Sequence, residues 1–190
     1  MKRLLTVPID WPIGIHGIGA AAAVAWFQWI KGKLDASYAA SNHPVDYATG
    51  QTQFSGTTVK EYYAVMSEAG TLDIYSRTQM IDFGFILGVM AMGWLLGTLV
   101  ARLARNGSWA RVFGYATACF ALAGASFDAI ENLISFVMLA NPSDFANWIA
   151  LPYSGFAVAK FLAVTLAMAA FAGSFLLLGV GRILRRPKIG

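Results

Sequence analysis

Apolar residues run in four long blocks, at about 11–30, 80–101, 112–140 and 152–181, each close to the roughly 20 residues that cross a bilayer as a helix. No block alternates with period two, so the pattern predicts helices and argues against a barrel. The expected fold is all-α: a four-transmembrane-helix bundle forming a single integral membrane domain over 1–190, with an extramembrane segment at 31–77. That segment divides in two. "LDASYAASNHPVDYATGQTQFSG" is rich in Ser, Ala, Asn and Gly without a helical period, and reads as loop pinned at its aromatic residues. In "TTVKEYYAVMSEAG", Val59, Tyr62, Tyr63 and Met66 recur at i, i+3, i+4 and i+7, with Thr57 or Thr58 ahead and Gly70 behind. This spacing predicts a short amphipathic helix, lying on the membrane surface or covering the bundle mouth.

The faces of the spans are readable at about 100° per residue. Gly84-x-x-x-Gly88 and Gly93-x-x-x-Gly97 point to opposite sides of the second span, so close neighbours are expected on both. Asp82 projects within about 20° of Gly93 and should face a helix rather than lipid. In the third span Thr117, Gly124, Asp128, Glu131, Asn132 and Ser135 form one polar stripe, and Phe127, Ile130, Leu133, Ile134 and Val137 cover the remainder. Lys160 in the fourth span shares a face with Ala157, Ala163, Ala167 and Ser174, small residues that admit another backbone. Asp82, Asp128 and Lys160 all fall in the outer half or middle of their spans, so a common cavity opening outward is expected.

Composition agrees with a membrane domain. Of 190 residues 57% are hydrophobic and 13% charged, against about a quarter charged in soluble domains. The net charge of +4 is not a nucleic-acid footprint, because of where it lies. Arg102, Arg105 and Arg111 separate spans two and three, and Arg182, Arg185, Arg186 and Lys188 follow span four, whereas the connection between spans three and four carries Asp144 and no Lys or Arg. The asymmetry predicts both termini in the cytoplasm of a bacterial inner membrane, with 31–77 outside. Trp26, Trp29, Tyr75, Trp148 and Tyr153 should mark the outer interface and Trp11 and Trp109 the inner one; Trp94 does not fit such a belt. The N-terminal stretch also resembles a signal peptide with small residues near 21–23, but Pro8, Asp10, Pro12 and His16 interrupt its apolar run, and a retained span is the reading taken.

A carboxylate deep in a bilayer costs several kcal/mol unless it is paired, hydrated or protonated, and three acids facing one lysine are not satisfied by simple pairing. Two readings remain open. In one, Asp128, Glu131 and Lys160 are catalytic groups, and Asp82, Asn132 and Ser135 complete a ligand pocket. In the other, Asp128, Asn132 and Lys160 clasp spans three and four, Glu131 is solvated from outside, and Asp82 bonds the first turn of its own helix. His16 and Gln28 are expected to make helix contacts, and the single Cys119 to pack as a small hydrophobe. With no H-x-x-x-H, Cys pair or clustered His, no metal and no cofactor is expected.

The combination of "YSRTQMIDFGFILG…VARLAR" with "FDAIEN" in the next span and a lysine early in the last resembles a group of uncharacterised bacterial four-helix membrane proteins, over roughly residues 75–181. In that group a D-x-x-E-N stands in the third span, matched here by Asp128, Glu131 and Asn132; an aromatic-proline pair often follows the acid of the second span, where this chain has Phe83-Gly84. The resemblance implies a fold and a candidate site, and no activity.

The functional expectation is an acidic/lysine pocket that binds a lipophilic small molecule, a membrane lipid or isoprenoid, and acts on it by proton transfer, with Glu131 or Asp128 as the acid and Lys160 setting the electrostatics. The alternative is a non-catalytic accessory or assembly subunit with a membrane partner, or a homo-oligomer built through the Gly-x-x-x-Gly faces. A proton-coupled transporter is a third reading, disfavoured by the short chain and the lack of a visible inverted repeat.

Overall fold

The computed structural model describes residues 2–183, with side chains described from residue 5 to residue 180. The helices are α1 (Lys2–Asp10), α2 (Ile13–Ala40), α3 (Tyr47–Gln51), α4 (Gly56–Glu68), α5 (Leu72–Leu103), α6 (Trp109–Leu139) and α7 (Ala150–Ile183), the last entered through a 3₁₀ turn, Asn147–Ile149. Among the described residues no strand occurs, and α2, α5, α6 and α7 are long and apolar enough to cross a membrane. The chain is an all-α, multi-pass membrane protein with a four-helix bundle. The side chains of Lys2, Arg3, Arg182, Arg185, Arg186 and Lys188, part of the charge asymmetry, lie outside the described residues.

The helices outrun their apolar blocks, because hydropathy marks the hydrocarbon and not the end of the hydrogen-bonded helix. The loop expected over 34–56 is therefore corrected. α2 continues to Ala40, and α3 adds a further helical turn whose N-cap, Asp46, accepts from Thr49 N at 3.0 Å. The aromatic pinning is present: Tyr38 stacks on Tyr47 with centroids 3.7 Å apart, and His43 lies against Tyr38, Tyr62 and Tyr75. At the other end α1 precedes the first span, an element the hydropathy pattern did not announce. The break between α1 and α2 falls at Trp11 and Pro12, since a proline ring excludes the preceding residue from the helical region.

The spanning helices pack in chain order, α2 on α5, α5 on α6 and α6 on α7, with only light contact between α5 and α7. Glycines set the two faces of α5 as their spacing predicts. A Cβ on Gly84 or Gly88 would press on Ile30, Trp26 and Phe27 of α2, and Trp26 Nε1 donates to Gly84 O at 3.0 Å. A Cβ on Gly97 would come within 2.6 Å of Gly114 O and 2.7 Å of Ala118 N, so α5 and α6 are in backbone contact there. Both glycine pairs pack against neighbouring helices of the same chain.

Further expectations meet different outcomes. His16 makes a helix contact as expected: it is fully buried, with Nε2 3.0 Å from Leu95 O and 3.2 Å from Thr98 Oγ1 on α5. Gln28, by contrast, is exposed on α2. Tyr75 and Tyr153, expected at the outer interface, are core residues, 4% and 2% exposed, whereas Trp26, Trp29, Trp109 and Trp148 are exposed. Trp94, which fits no interfacial belt, packs edge-on to Trp11, with centroids 6.3 Å apart, in the C-terminal third of α5.

α4 covers the mouth of the bundle. Its apolar face, Val59, Tyr63 and Met66, packs against Tyr75, Met138, Phe145 and Tyr153. The N-cap is Ser55, accepting from Thr58 N, and not Thr57 or Thr58; past its end Gly70 takes φ +68°, the left-handed region glycine adopts freely. Both ends are tied down. Lys60 Nζ donates to Asn147 Oδ1 at 2.9 Å, and beyond the C-terminal end Thr71 Oγ1 donates to Ser41 O at 2.6 Å.

Candidate functional site

The polar stripe of α6 turns inward along its length: Thr117, Gly124, Asp128, Glu131, Asn132 and Ser135 are all buried, while Ile130, Leu133 and Val137 are exposed on the opposite side. A helix apolar all round would present no such division, so the stripe fixes the rotation of α6 between its neighbours. α7 brings Lys160 to it because Ala157, Ala163 and Ala167, all buried, allow close approach; a Cβ on Gly124 would meet Val164, Ala163 and the Lys160 carbonyl.

Depth brings the groups level. Asp82 follows the start of α5 by ten residues, Lys160 follows the start of α7 by ten, and Asp128 precedes the end of α6 by eleven. At 1.5 Å per residue each lies about 15–17 Å from the end of its helix on the α4 side of the bundle. One layer of the bundle thus holds three carboxyl groups, an ammonium and a carboxamide.

Lys160 Nζ lies 2.6 Å from Asp128 Oδ1 and 2.6 Å from Glu131 Oε2, bridging two acids one turn apart on α6. Asn132 Nδ2 donates to Asp82 Oδ2 at 2.7 Å, tying α5 into the same layer. Glu131 and Asn132 are wholly buried, and Glu131 Oε1 and Asn132 Oδ1 accept no hydrogen bond among the described residues. Asp82, Asp128 and Lys160 keep 7%, 8% and 6% exposure, so what little access the cluster has is at the junction of α5, α6 and α7.

Several expectations are corrected by this geometry. The Asp128–Lys160 contact of the clasp exists, but Asn132 turns to α5 rather than α7, and Glu131 is an ion-pair partner of Lys160 rather than a solvated acid. Asp82 bonds across to α6 and does not cap its own first turn. The cavity expected to open outward is closed. Ser135, one turn from Glu131 toward α4, is fully buried and its Oγ has no hydrogen-bond partner among the described residues, and α4 seals the layer above through Val59, Tyr63 and Met66. Tyr63, Tyr75 and Tyr153 were not anticipated as neighbours of the acids. The spacing within α4 did place Tyr63 on its buried face, but nothing in the chain said what that face would meet.

The arrangement holds more acid than its one cation neutralises, in a layer remote from water. Such a layer can hold protons and can pair with one further cationic or hydrogen-bond-donating group. No protein-family model matches the chain, and no curated protein and no solved structure matches it.

Proposed function

We propose that this is a bacterial inner-membrane protein, with both termini cytoplasmic, that binds a lipophilic small molecule of the lipid or isoprenoid class at the Asp82, Asp128, Glu131, Asn132 and Lys160 layer and exchanges a proton with it. The observation that carries the reading is the ratio of charges: three carboxyl groups stand around one ammonium. A clasp between helices needs one pair. Each further ionised carboxylate in the bilayer interior costs several kcal/mol, and a layer built only for stability would be better served by apolar side chains. A surplus of acid is what proton exchange requires. In this reading Glu131 or Asp128 is the acid, Lys160 tunes the pair, and the ligand arrives from the bilayer at the α5–α6–α7 junction, where Asp82, Asp128 and Lys160 are not fully sealed. Orientation follows from Arg102, Arg105 and Arg111 between α5 and α6, against Asp144 and no basic residue between α6 and α7.

Native mass spectrometry of the protein released from gentle detergent tests the reading. A small molecule should be retained by the wild-type chain and lost in Glu131→Gln, which keeps the shape and hydrogen bonds but not the exchangeable proton. Retention of bulk phospholipid alone, equal in both proteins, would reject it.

A further inference from the structure

The acid layer offers more acceptors than its own donors use. Asp128 meets Lys160 through Oδ1 and Asp82 meets Asn132 through Oδ2, so Oδ2 of Asp128 and Oδ1 of Asp82 stand outside those bonds. Glu131 lies 2.6 Å from Lys160 Nζ through Oε2, while its Oε1 accepts no hydrogen bond among the described residues. Asn132 Oδ1 and Ser135 Oγ are likewise unpartnered there, and Glu131, Asn132 and Ser135 are all wholly buried. At about 100° per residue Ser135 falls between Glu131 and Asn132 in rotation, one turn further along α6, so the three residues share one patch of the helix. A buried acceptor without a donor is costly, and a patch of them is suited to a guest that brings donors.

Charge selects the guest. Lys160 is the only Lys or Arg in 78–101 and 112–181, and its ammonium already lies against two acids. A phosphate or carboxylate head would meet carboxyl groups and no uncommitted cation. An alcohol brings one donor and leaves the surplus of acid in place. A primary ammonium brings the opposite charge and three N–H donors. We propose that the ligand of this layer is a long-chain primary amine bound as its ammonium, with its head at Glu131 Oε1 between Asp82 and Asp128 and its chain in the bilayer along the α5–α7 seam. The inference rests on the proton-exchange reading above and names the class of molecule. α5 and α7 touch only lightly, and Asp82, Asp128 and Lys160 are the members of the layer that keep some exposure. In the exchange an N–H bond breaks with its electron pair left on nitrogen, and the proton joins Glu131 Oε1. The products are a neutral amine and a neutral carboxylic acid, so the amine returns to hydrocarbon without charge.

The test is native mass spectrometry of the full chain in gentle detergent, incubated separately with equal concentrations of dodecylamine, dodecanol, dodecyl phosphate and dodecyltrimethylammonium. These share one chain and differ at the head. The wild type should retain one dodecylamine at about tenfold or more the level of any other probe. Glu131→Gln and Asp82→Asn keep shape, remove one charge each, and should lower that adduct by about tenfold. The comparison of heads on the wild type needs no variant to fold. Equal or greater retention of any other probe overturns the amine, and if that retention is lost in Glu131→Gln the lipophilic-ligand reading still stands. Dodecylamine held equally by wild type and both variants binds elsewhere, which also overturns the proposal. If no molecule, added or native, is retained in a manner that depends on Glu131, the proposal falls together with the reading on which it rests.

Discussion

Asn132 on α6 donates to the Asp82 carboxylate on α5 at 2.7 Å, joining residues fifty positions apart in the interior of the bundle. The bond makes Asp82 a member of the charged layer, and it couples the α5–α6 interface to the α6–α7 interface through a single turn of α6. Asn132→Ala should cost about 1–3 kcal/mol, because a buried carboxylate loses its donor. Asp82→Asn, which keeps an acceptor in place, should cost less. Thermal unfolding in detergent measures both, and two variants as stable as the wild type would show that the bond does not hold α5.

Lys160→Met strips two acids of their counter-ion at once, and a loss of about 3–5 kcal/mol is expected. Neutralising Asp128 alone in that background leaves Glu131 still unpaired. The triple variant Asp128→Asn, Glu131→Gln, Lys160→Met should therefore be more stable than Asp128→Asn, Lys160→Met, and this in turn more stable than Lys160→Met. If the double and triple variants unfold together, Glu131 does not depend on Lys160.

Glycine contacts predict a contrast within the bundle. Gly97→Leu and Gly88→Leu should disrupt packing, since an added Cβ meets the α6 backbone at Gly97 and the Phe27 Cα of α2 at 3.2 Å at Gly88. Gly17→Leu, with nothing within 4 Å, should be tolerated. The measurement is thermal stability of the purified variants, and equal behaviour of all three would place α5 wrongly.

Topology is testable by single-cysteine labelling in a Cys119→Ala background. Glu68 is exposed and at the end of α4, and unlike Ser55 it caps no helix. Glu68→Cys should react with an impermeant thiol reagent in intact cells. Reaction only after lysis would invert the orientation.

His43, stacked among Tyr38, Tyr62 and Tyr75, has its proton affinity lowered chiefly by burial, against smaller raising effects from Val45 O and Asp46. A histidine held neutral in the fold binds fewer protons than in the unfolded chain. Its contribution is present above its ordinary value of 6.5 and is lost as pH falls below it toward the folded value. The midpoint of thermal unfolding should thus fall between about pH 7.5 and about pH 5 more steeply in the wild type than in His43→Gln. Parallel slopes would remove His43 as the cause.

What the sequence by itself determined was rotation and depth. Four apolar blocks define spans, and angular spacing within a helix is rigid, so the inward stripe from Thr117 to Ser135, the inward lysine and the two-sided glycines of α5 were all legible before any neighbour was known. Pairing was not legible. Which acid meets Lys160, and whether Asn132 reaches α5 or α7, depends on the lateral order of helices, and hydropathy is blind to that because every spanning helix faces an equally apolar surround. The tertiary structure also decided that the layer is closed. The seal is made by Tyr63, Tyr75 and Tyr153, side chains whose apolar rings and polar tips suit an interfacial belt and a buried core alike, and only the docking of α4 on the bundle selected the core.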